Sequence, residues 1–346
     1  MKIVHLIFSF EIGGAETMLV DIVNQQVKTN SVSLIIVNDR YSKNLLSNID
    51  NRVKVFLIER PERSYNPFYV IKLNAILARL KVDVVHCHNN KLIKLLFGKY
   101  KYCLTIHDNN IPVENFKYYS TLFAVSNAVK IDVVSRSEFY PIVIENGINI
   151  SSISPKSDFI HNEFRIVQIS RLNHQKKGQD ILVDALKKLV YEHKMTQISI
   201  DFIGDSEIEE CLSSKKHIET LIEENNLNDY VNFLGTKSRQ WIYENLRNYS
   251  LLVQPSRYEG FGLTVAEAMA AKVPVLVSNI DGPIEIIKNG EFGHFFKSGN
   301  SDDCALRIKE IIEHYDEKKE LLEKAYRHCV DNYSIERTAK KYIENY

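Results

Sequence analysis

Short apolar, β-branched runs alternate along the chain with segments whose apolar positions recur every three to four residues. In the first half the runs are Lys2–Phe8, Val32–Val37, Val53–Ile58, Val82–Cys87, Cys103–Ile106, Leu122–Val125 and Pro141–Ile144. Between them, Ala15–Val27 sets Met18, Leu19, Ile22 and Val23 on one helical face, and Phe68–Leu80 groups Ile71, Leu73, Ile76, Leu77 and Leu80 similarly. Such alternation predicts strands and helices in a parallel α/β arrangement.

The pattern pauses over residues 146–163, a turn-rich stretch with Asn146-Gly147, several serines, Pro155 and Asp158. It resumes with Phe164–Ser170, Ile198–Ile203, Val231–Leu234, Leu251–Gln254 and Val273–Val277, again with helical segments between. Two α/β units joined near residue 155 account for this most simply. From Ser301 onward the chain reads as helical, and Ser334 is placed to cap a last helix whose first turn carries Glu336.

The 346 residues suit two domains of about 150–200 each. Apolar residues at 45% and charged residues at 25% match an ordinary globular protein. No apolar run approaches the ~20 residues of a spanning helix, and no signal-like segment follows Met1. Ile3–Phe10 contains His5 and Ser9 and reads as a buried strand. A cytoplasmic protein beginning at Met1 is the expectation.

Cys87, Cys103, Cys211, Cys304 and Cys329 are scattered, odd in number and free of any CxxC pair. They suggest reduced thiols rather than a zinc site or disulfide framework. Net charge is zero but unevenly placed. Residues 1–160 hold 19 Lys and Arg against 14 Asp and Glu, and the remainder 25 against 30. The basic first half suits an anionic partner such as a membrane face; chance surface composition explains it about as well.

The sharpest chemical feature is Glu259-Gly-Phe-Gly-Leu-Thr-Val-Ala-Glu267, between an apolar strand and a helix. Glycines at a strand-to-helix turn let backbone N–H groups approach a ligand, and the helix N-terminus adds partial positive charge, so the segment is an anion cradle. Two carboxylates beside such a cradle are better used on sugar hydroxyls, as acceptor-only groups. The competing reading is a plain helix start with surface glutamates.

Ser170 to Gly178 lies between a strand and the helix Gln179–Val190. Its Arg171 and Lys177 can converge on a diphosphate, Arg as a bidentate fork and Lys as a point charge. Lys176 reads as solvated. Phe10 to Glu16 joins the first strand to the first helix with Gly13-Gly14 but lacks G-x-G-x-x-G, which disfavours an NAD-type oxidoreductase. His107-Asp108 ends a strand, where doubly wound sheets place ligands. His107 is thus a candidate for a sugar hydroxyl or for developing charge, and His88 reads as structural.

Gly13-Gly14-Ala15-Glu16, His107-Asp108, Ser126-Asn127, Asn146-Gly147, Arg171 with Lys177-Gly178, Gly204-Asp205, Phe233-Leu234-Gly235 and Glu259…Glu267 occur in that order. This series resembles glycosyltransferase family 4, a retaining group with the glycosyltransferase-B fold, over nearly the whole chain. The resemblance implies two Rossmann-like doubly wound α/β domains facing across a cleft. They would be an acceptor domain at 1–158 with a returning helix at 333–346, and a donor domain at 159–332. It also implies that Arg171 and Lys177 bind the donor pyrophosphate and that Glu267 holds the ribose. Glu259 and the amides of Phe261, Gly262 and Leu263 would meet the transferred sugar and phosphate. Leu234 and Gly235 would flank the base, His107 would contact the sugar near its reacting carbon, and Gly13 and Gly14 would line the donor side. Ser170 departs from the family, which often has Gly there.

The expected activity is transfer of a sugar from a nucleotide diphosphate sugar, UDP-linked by preference. The acceptor would be a hydroxyl of a glycan or polyprenyl-diphosphate-linked sugar in bacterial surface-polysaccharide synthesis such as capsule, exopolysaccharide or O-antigen. No D-x-D triplet occurs, so no divalent metal or other cofactor is expected. The resemblance implies retention of anomeric configuration, and since nothing reads as a covalent nucleophile, front-face displacement is favoured over double displacement. Lys91, Lys94, Lys99 and Lys101 lie among Leu92, Ile93, Leu95, Leu96, Phe97, Tyr100 and Tyr102, which suits an anionic membrane surface on the inner face. An ordinary helix with solvated lysines is the alternative. No nucleic acid is expected. The rival functions are a sugar-nucleotide epimerase or hydrolase on the same fold, and a non-catalytic nucleotide-sugar-binding subunit.

Overall fold

The computed structural model describes the 346-residue chain except Ile12, residues 158–162 and residues 205–208, and leaves the side chains of residues 209–211 and 316 undescribed. The chain forms two compact units, Met1–Ile148 with Tyr333–Tyr346, and Asn149–Asn332. The boundary expected at 158/159 lies outside the described residues. The units part ten residues earlier because the connecting segment is already bonded into the second. Ser154 N–H donates to Tyr243 O at 3.1 Å, and buried Lys156 donates from Nζ to Tyr249 O at 2.6 Å.

The first unit holds strands β1 Lys2–Ile7, β2 Ser31–Asn38, β3 Lys54–Arg60, β4 Val84–Cys87, β5 Lys101–Ile106, β6 Thr121–Ala124 and β7 Ile142–Val143. They form one parallel sheet in the order β3-β2-β1-β4-β5-β6-β7. The first helix, Gly14–Gln26, buries Met18, Leu19, Ile22 and Val23, as its periodicity requires. In the helix Pro67–Leu80, Leu73 and Leu77 are buried but Ile71 is 62% exposed. Two residues span about 200° of helical turn, so Ile71 cannot share a face with Leu73.

The last helix, Ile335–Asn345, belongs to this first unit. It docks through a parallel bridge between Ile148 and Ser334, and through Gly147, where a Cβ would lie 2.6 Å from Thr338 Oγ1. Only glycine fits that approach. Ser334 occupies the N-cap position, but its side chain makes no capping bond. Instead its carbonyl accepts from Thr338 N–H at 3.2 Å.

The second unit holds β8 Phe164–Ile169, β9 Ile198–Ile203, β10 Val231–Gly235, β11 Leu251–Gln254, β12 Val275–Ser278 and β13 His294–Phe296. These strands are also all parallel, in the order β10-β9-β8-β11-β12-β13. The edge strand β13 is three residues long and gives no readable apolar run. Helix Gln179–Tyr191 covers one face of this sheet with Ile181, Leu182, Ala185, Leu186 and Leu189, all nearly or fully buried. Each unit is therefore a Rossmann-like parallel sheet with crossover helices.

Candidate active site

In the second sheet the strand order reverses between β8 and β11, so the loops after these strands lead to opposite faces and leave a crevice at their carboxyl ends. The two loops are Ser170–Gly178 and Pro255–Gly262, and backbone shape fixes their meeting. Gly178 has φ +69°, and a Cβ there would lie 2.0 Å from Pro255 O. Left-handed backbone and close approach both demand glycine. Arg257 completes the seam. Its N–H donates to Lys176 O at 2.9 Å, and its guanidinium grips Asp180 with two bonds of 2.9 and 2.7 Å.

Three buried glutamines brace the loops from below. Gln168, on β8, donates to Lys177 O at 2.8 Å. Gln254, ending β11, donates to Ser256 Oγ at 2.9 Å and to Glu259 Oε2 at 3.3 Å. Gln179 donates to Ser170 Oγ at 3.0 Å and to Arg171 O at 2.9 Å. Ser170 thus uses its hydroxyl to anchor the turn that carries Arg171. Close approach is met from the other side, since a Cβ at Gly204 would lie 2.2 Å from Ser170 O.

These braces bring Lys177 and Glu259 together across the crevice, Nζ to Oε2 at 2.5 Å, with both side chains less than one-fifth exposed. Low exposure strengthens such a pair relative to a surface ion pair. Arg171 is exposed and has no ion-pair partner among the described residues. Glu267 is buried eight residues further on and accepts from Tyr243 OH at 3.3 Å, with Arg239 3.9 Å away.

Between the two glutamates the helix Leu263–Ala270 begins. Its N-cap is Gly262 at φ +104°, with no side chain to satisfy the first-turn N–H groups. Val265 N–H is taken by Gly262 O at 3.0 Å, so it is the N–H groups of the first two helical residues and the helix dipole that suit an anion. The turn is pinned from outside, because a Cβ at Gly282 would lie 2.6 Å from Phe261 N. Phe261 is 5% exposed, so its backbone, not its ring, is what the site can use.

Leu234 is half-buried and Gly235 has φ +66° at the register shift closing β10. A Cβ at Gly235 would meet nothing within 4 Å, and its carbonyl accepts from Gly204 N–H at 3.0 Å. Asp205, the second residue of the Gly204-Asp205 motif, lies outside the described residues.

The remaining candidates belong to the first unit, whose strand order reverses between β1 and β4. Gly13 follows β1 as the extended N-cap of helix Gly14–Gln26, and its carbonyl accepts from Thr17 N–H and Oγ1 at 2.9 and 2.7 Å. A Cβ at Gly13 would lie 2.5 Å from Glu16 Oε2. His107 follows β5, half-buried, with Nε2 3.2 Å from His88 Nδ1. Burial pushes the His107 imidazole down to about 4, with Asp108 pulling it back. Lys91 to Leu96 is a single 3₁₀ turn over Leu92–Leu95, too short to form an amphipathic helix.

Residues 149–328 match the family described as glycosyl transferases group 1, which is more than half of the chain, and residues 12–152 match glycosyltransferase family 4. The chain belongs to the glycosyl transferases group 1 family. It is 31% identical to an uncharacterized glycosyltransferase of Methanocaldococcus jannaschii over 69% of this chain and 68% of that one. It is 24% identical to the N,N'-diacetylbacillosaminyl-diphospho-undecaprenol alpha-1,3-N-acetylgalactosaminyltransferase of Campylobacter jejuni, over 85% and 84%. The Anabaena protein HepE, solved in complex with UDP-glucose, superposes with a TM-score of 0.85, at 23% identity, over 100% of this chain and 99% of that one. The fold of this glycosyltransferase is accordingly that of the glycosyltransferase-B enzymes.

Sequence reasoning missed Arg257, Asp180 and the three glutamines. Gln168 and Gln254 carried a signal, a polar amide inside an otherwise apolar strand, because a buried amide needs built partners. Arg257 and Asp180 carried none, being one charge in a loop and one in the first turn of a helix.

Proposed function

We propose that this glycosyltransferase moves a sugar from a nucleotide diphosphate sugar, UDP-linked by preference, to a hydroxyl of a glycan or lipid-linked glycan. The observation that carries the reading is the Lys177–Glu259 pair beside the uncapped helix start at Gly262, at the switch point of the second sheet. Backbone N–H groups there suit phosphate, and the carboxylates of Glu259 and Glu267 suit hydroxyls of the sugar and ribose. The UDP-glucose complex of HepE and the undecaprenol-linked acceptor named for the Campylobacter relative support the two substrate classes.

In this reading the bond between the anomeric carbon and the diphosphate oxygen breaks as the acceptor oxygen bonds to that carbon. The hydroxyl proton passes to the departing phosphate oxygen. Arg171, Lys177 and the helix N-terminus neutralise the charge that grows on the diphosphate, the work a metal ion does elsewhere. Attack from the leaving-group side retains anomeric configuration without a protein nucleophile. Surface-polysaccharide assembly is the biological setting that fits such an acceptor.

A membrane-facing surface belongs to the same proposal. No helix of the described residues is long and apolar enough to cross a bilayer. Tyr65, Phe68, Ile71 and Phe97 are 98, 61, 62 and 59% exposed. Asn74 ties the segments together, donating to Leu95 O at 2.8 Å and accepting from Phe97 N–H at 2.6 Å. The exposed Lys91, Lys94, Lys99 and Lys101 flank Phe97 in the chain, a composition suited to an anionic lipid surface.

A thermal-shift screen of nucleotide sugars and nucleoside diphosphates tests the donor reading. A rise in Tm with UDP or one of its sugars is expected; no response to any nucleotide would overturn it. Donor consumption that needs no acceptor would point instead to an epimerase or hydrolase.

A further inference from the structure

The first unit buries an unbroken chain of imidazoles. His5 lies on β1, His86 on β4 beside it in register, and His88 just after β4; all three are buried. His5 Nε2 is 2.8 Å from Gln26 Oε1, and His5 Nδ1 is 3.0 Å from His88 Nε2. His88 Nδ1 is 3.2 Å from His107 Nε2. The other arm of the Gln26 amide, Nε2, donates to Tyr346 OH at 3.1 Å. Tyr346 OH meets His86 Nδ1 at 2.7 Å, and His86 Nε2 meets Thr105 Oγ1 at 2.7 Å. Thr105 Oγ1 in turn donates to Tyr342 OH at 3.2 Å.

The sense of the bonds from His5 to His107 follows from the Gln26 amide. Its oxygen accepts, so His5 carries its proton on Nε2 and offers a bare Nδ1. His88 then donates from Nε2 to His5, and His107 donates from Nε2 to His88. Reversal would need the amide, the three rings and the Tyr346 hydroxyl to change together. The three rings' donor atoms lie within 4.8 Å of one another, a spacing that can hold a metal ion. Yet all six nitrogens of His5, His86 and His88 already have hydrogen-bond partners. A metal would have to break those bonds, so the hydrogen-bonded reading is favoured.

We infer that Gln26, His5 and His88 act as a positioning relay that holds His107 as the Nε2–H tautomer and presents its Nδ1 lone pair to the substrate. Nδ1 makes no hydrogen bond among the described residues. A bare nitrogen accepts from a sugar hydroxyl, whereas the opposite tautomer would donate. The inference rests on the proposed function together with the expectation that His107, at the carboxyl end of β5, meets the donor sugar, but the tautomer itself can be read without substrate.

Long-range 1H–15N correlation on the full-length, 15N-labelled protein at pH 7.5 reads which nitrogen of each ring is protonated. Expected are Nε2–H for His5, His88 and His107, and bare Nδ1 for His107. A protonated His107 Nδ1 would overturn the relay in the wild-type protein alone. Gln26→Met removes the acceptor at similar volume. It should mix the tautomers at all three rings and lower kcat about 10–100-fold, the usual range for groups that orient a working ligand or base, while the donor KM changes little. Gln26→Glu keeps an acceptor and should restore both spectrum and kcat. Unchanged tautomers in Gln26→Met, or stoichiometric Zn²⁺ binding that shifts the His5, His86 and His88 nitrogens, would overturn the proposal. Failure of nucleotides to bind, with the spectrum as expected, would reject the donor reading and leave the relay standing.

Discussion

Lys177 Nζ and Glu259 Oε2 meet at 2.5 Å although 82 residues separate them in the chain. One comes from the loop after β8 and the other from the loop after β11, so the pair exists only because the sheet reverses its winding there. Lys177 is therefore held in place by a carboxylate before any donor arrives. Lys177→Ala should lower kcat/KM by about 10²–10³, or about 2.7–4 kcal/mol, as for loss of one preorganised charge-stabilising donor. It should also lower Tm, since Glu259 loses its cation. Arg171→Ala should cost similar turnover with Tm unchanged, because that side chain is exposed and makes no ion pair. Initial-rate kinetics with melting curves separate the two, and full activity in the double variant would remove the diphosphate role.

Gly178 is what allows the loops to touch. Its φ of +69° and the 2.0 Å approach of Pro255 O leave no room for a methyl group. Gly178→Ala should displace the Lys177 turn from the Pro255 loop, destabilise the second unit by about 1–3 kcal/mol, and weaken donor binding along with it. Chemical denaturation and nucleotide titration should move together. A variant with normal stability and normal affinity would show that the seam does not position Lys177.

Most of the strands and the loops after β8 and β11 were legible because each is a local signal, an apolar run or a glycine between a strand and a helix. The relay was not. His5, His86, His88, His107, Gln26 and Tyr346 come from strands β1 and β4, the turns after β4 and β5, one helix and the last residue, and no spacing rule links them. His88 read alone as structural; only the fold shows it between His5 and His107. Ile71 misled for the opposite reason, since an apolar residue near the buried face was counted with it although its angle points outward.

Glu267 is buried with Tyr243 on one oxygen. If its carboxylate accepts from two ribose hydroxyls, Glu267→Gln keeps the volume but turns one acceptor into a donor. Affinity for UDP should fall about tenfold, or ~1.4 kcal/mol, with the fold intact by melting. Calorimetric titration of UDP gives the answer, and an unchanged Kd would move the ribose elsewhere.

The basic, aromatic surface of the first unit makes its own prediction. Lys91→Glu/Lys94→Glu should lose at least ~2 kcal/mol of attraction to anionic vesicles, about thirty-fold in affinity. Binding should also weaken with salt. Flotation with anionic and neutral vesicles measures both. Equal flotation of wild type and variant would leave these lysines as solvated charges.

The buried imidazoles predict the pH response. Burial holds His5 and His107 down to about 4 in the folded protein, from an ordinary 6.5, and pushes His86 and His88 well below it, their histidine neighbours adding to the effect. The unfolded chain then binds more protons than the folded one between about pH 4 and 6.5, so stability rises with pH across that window. The contribution is complete above 6.5 and is withdrawn as the pH falls toward 4. Melting temperature should therefore drop steeply between pH 6.5 and 4.5, and a His5→Gln, His107→Gln variant should flatten that slope. Activity, by contrast, should show no inflection near 6.5 from His107, because its ring stays neutral there. A kcat profile that falls through pH 6.5 in wild type but not in His107→Gln would mean that the ring titrates in solvent rather than within the relay.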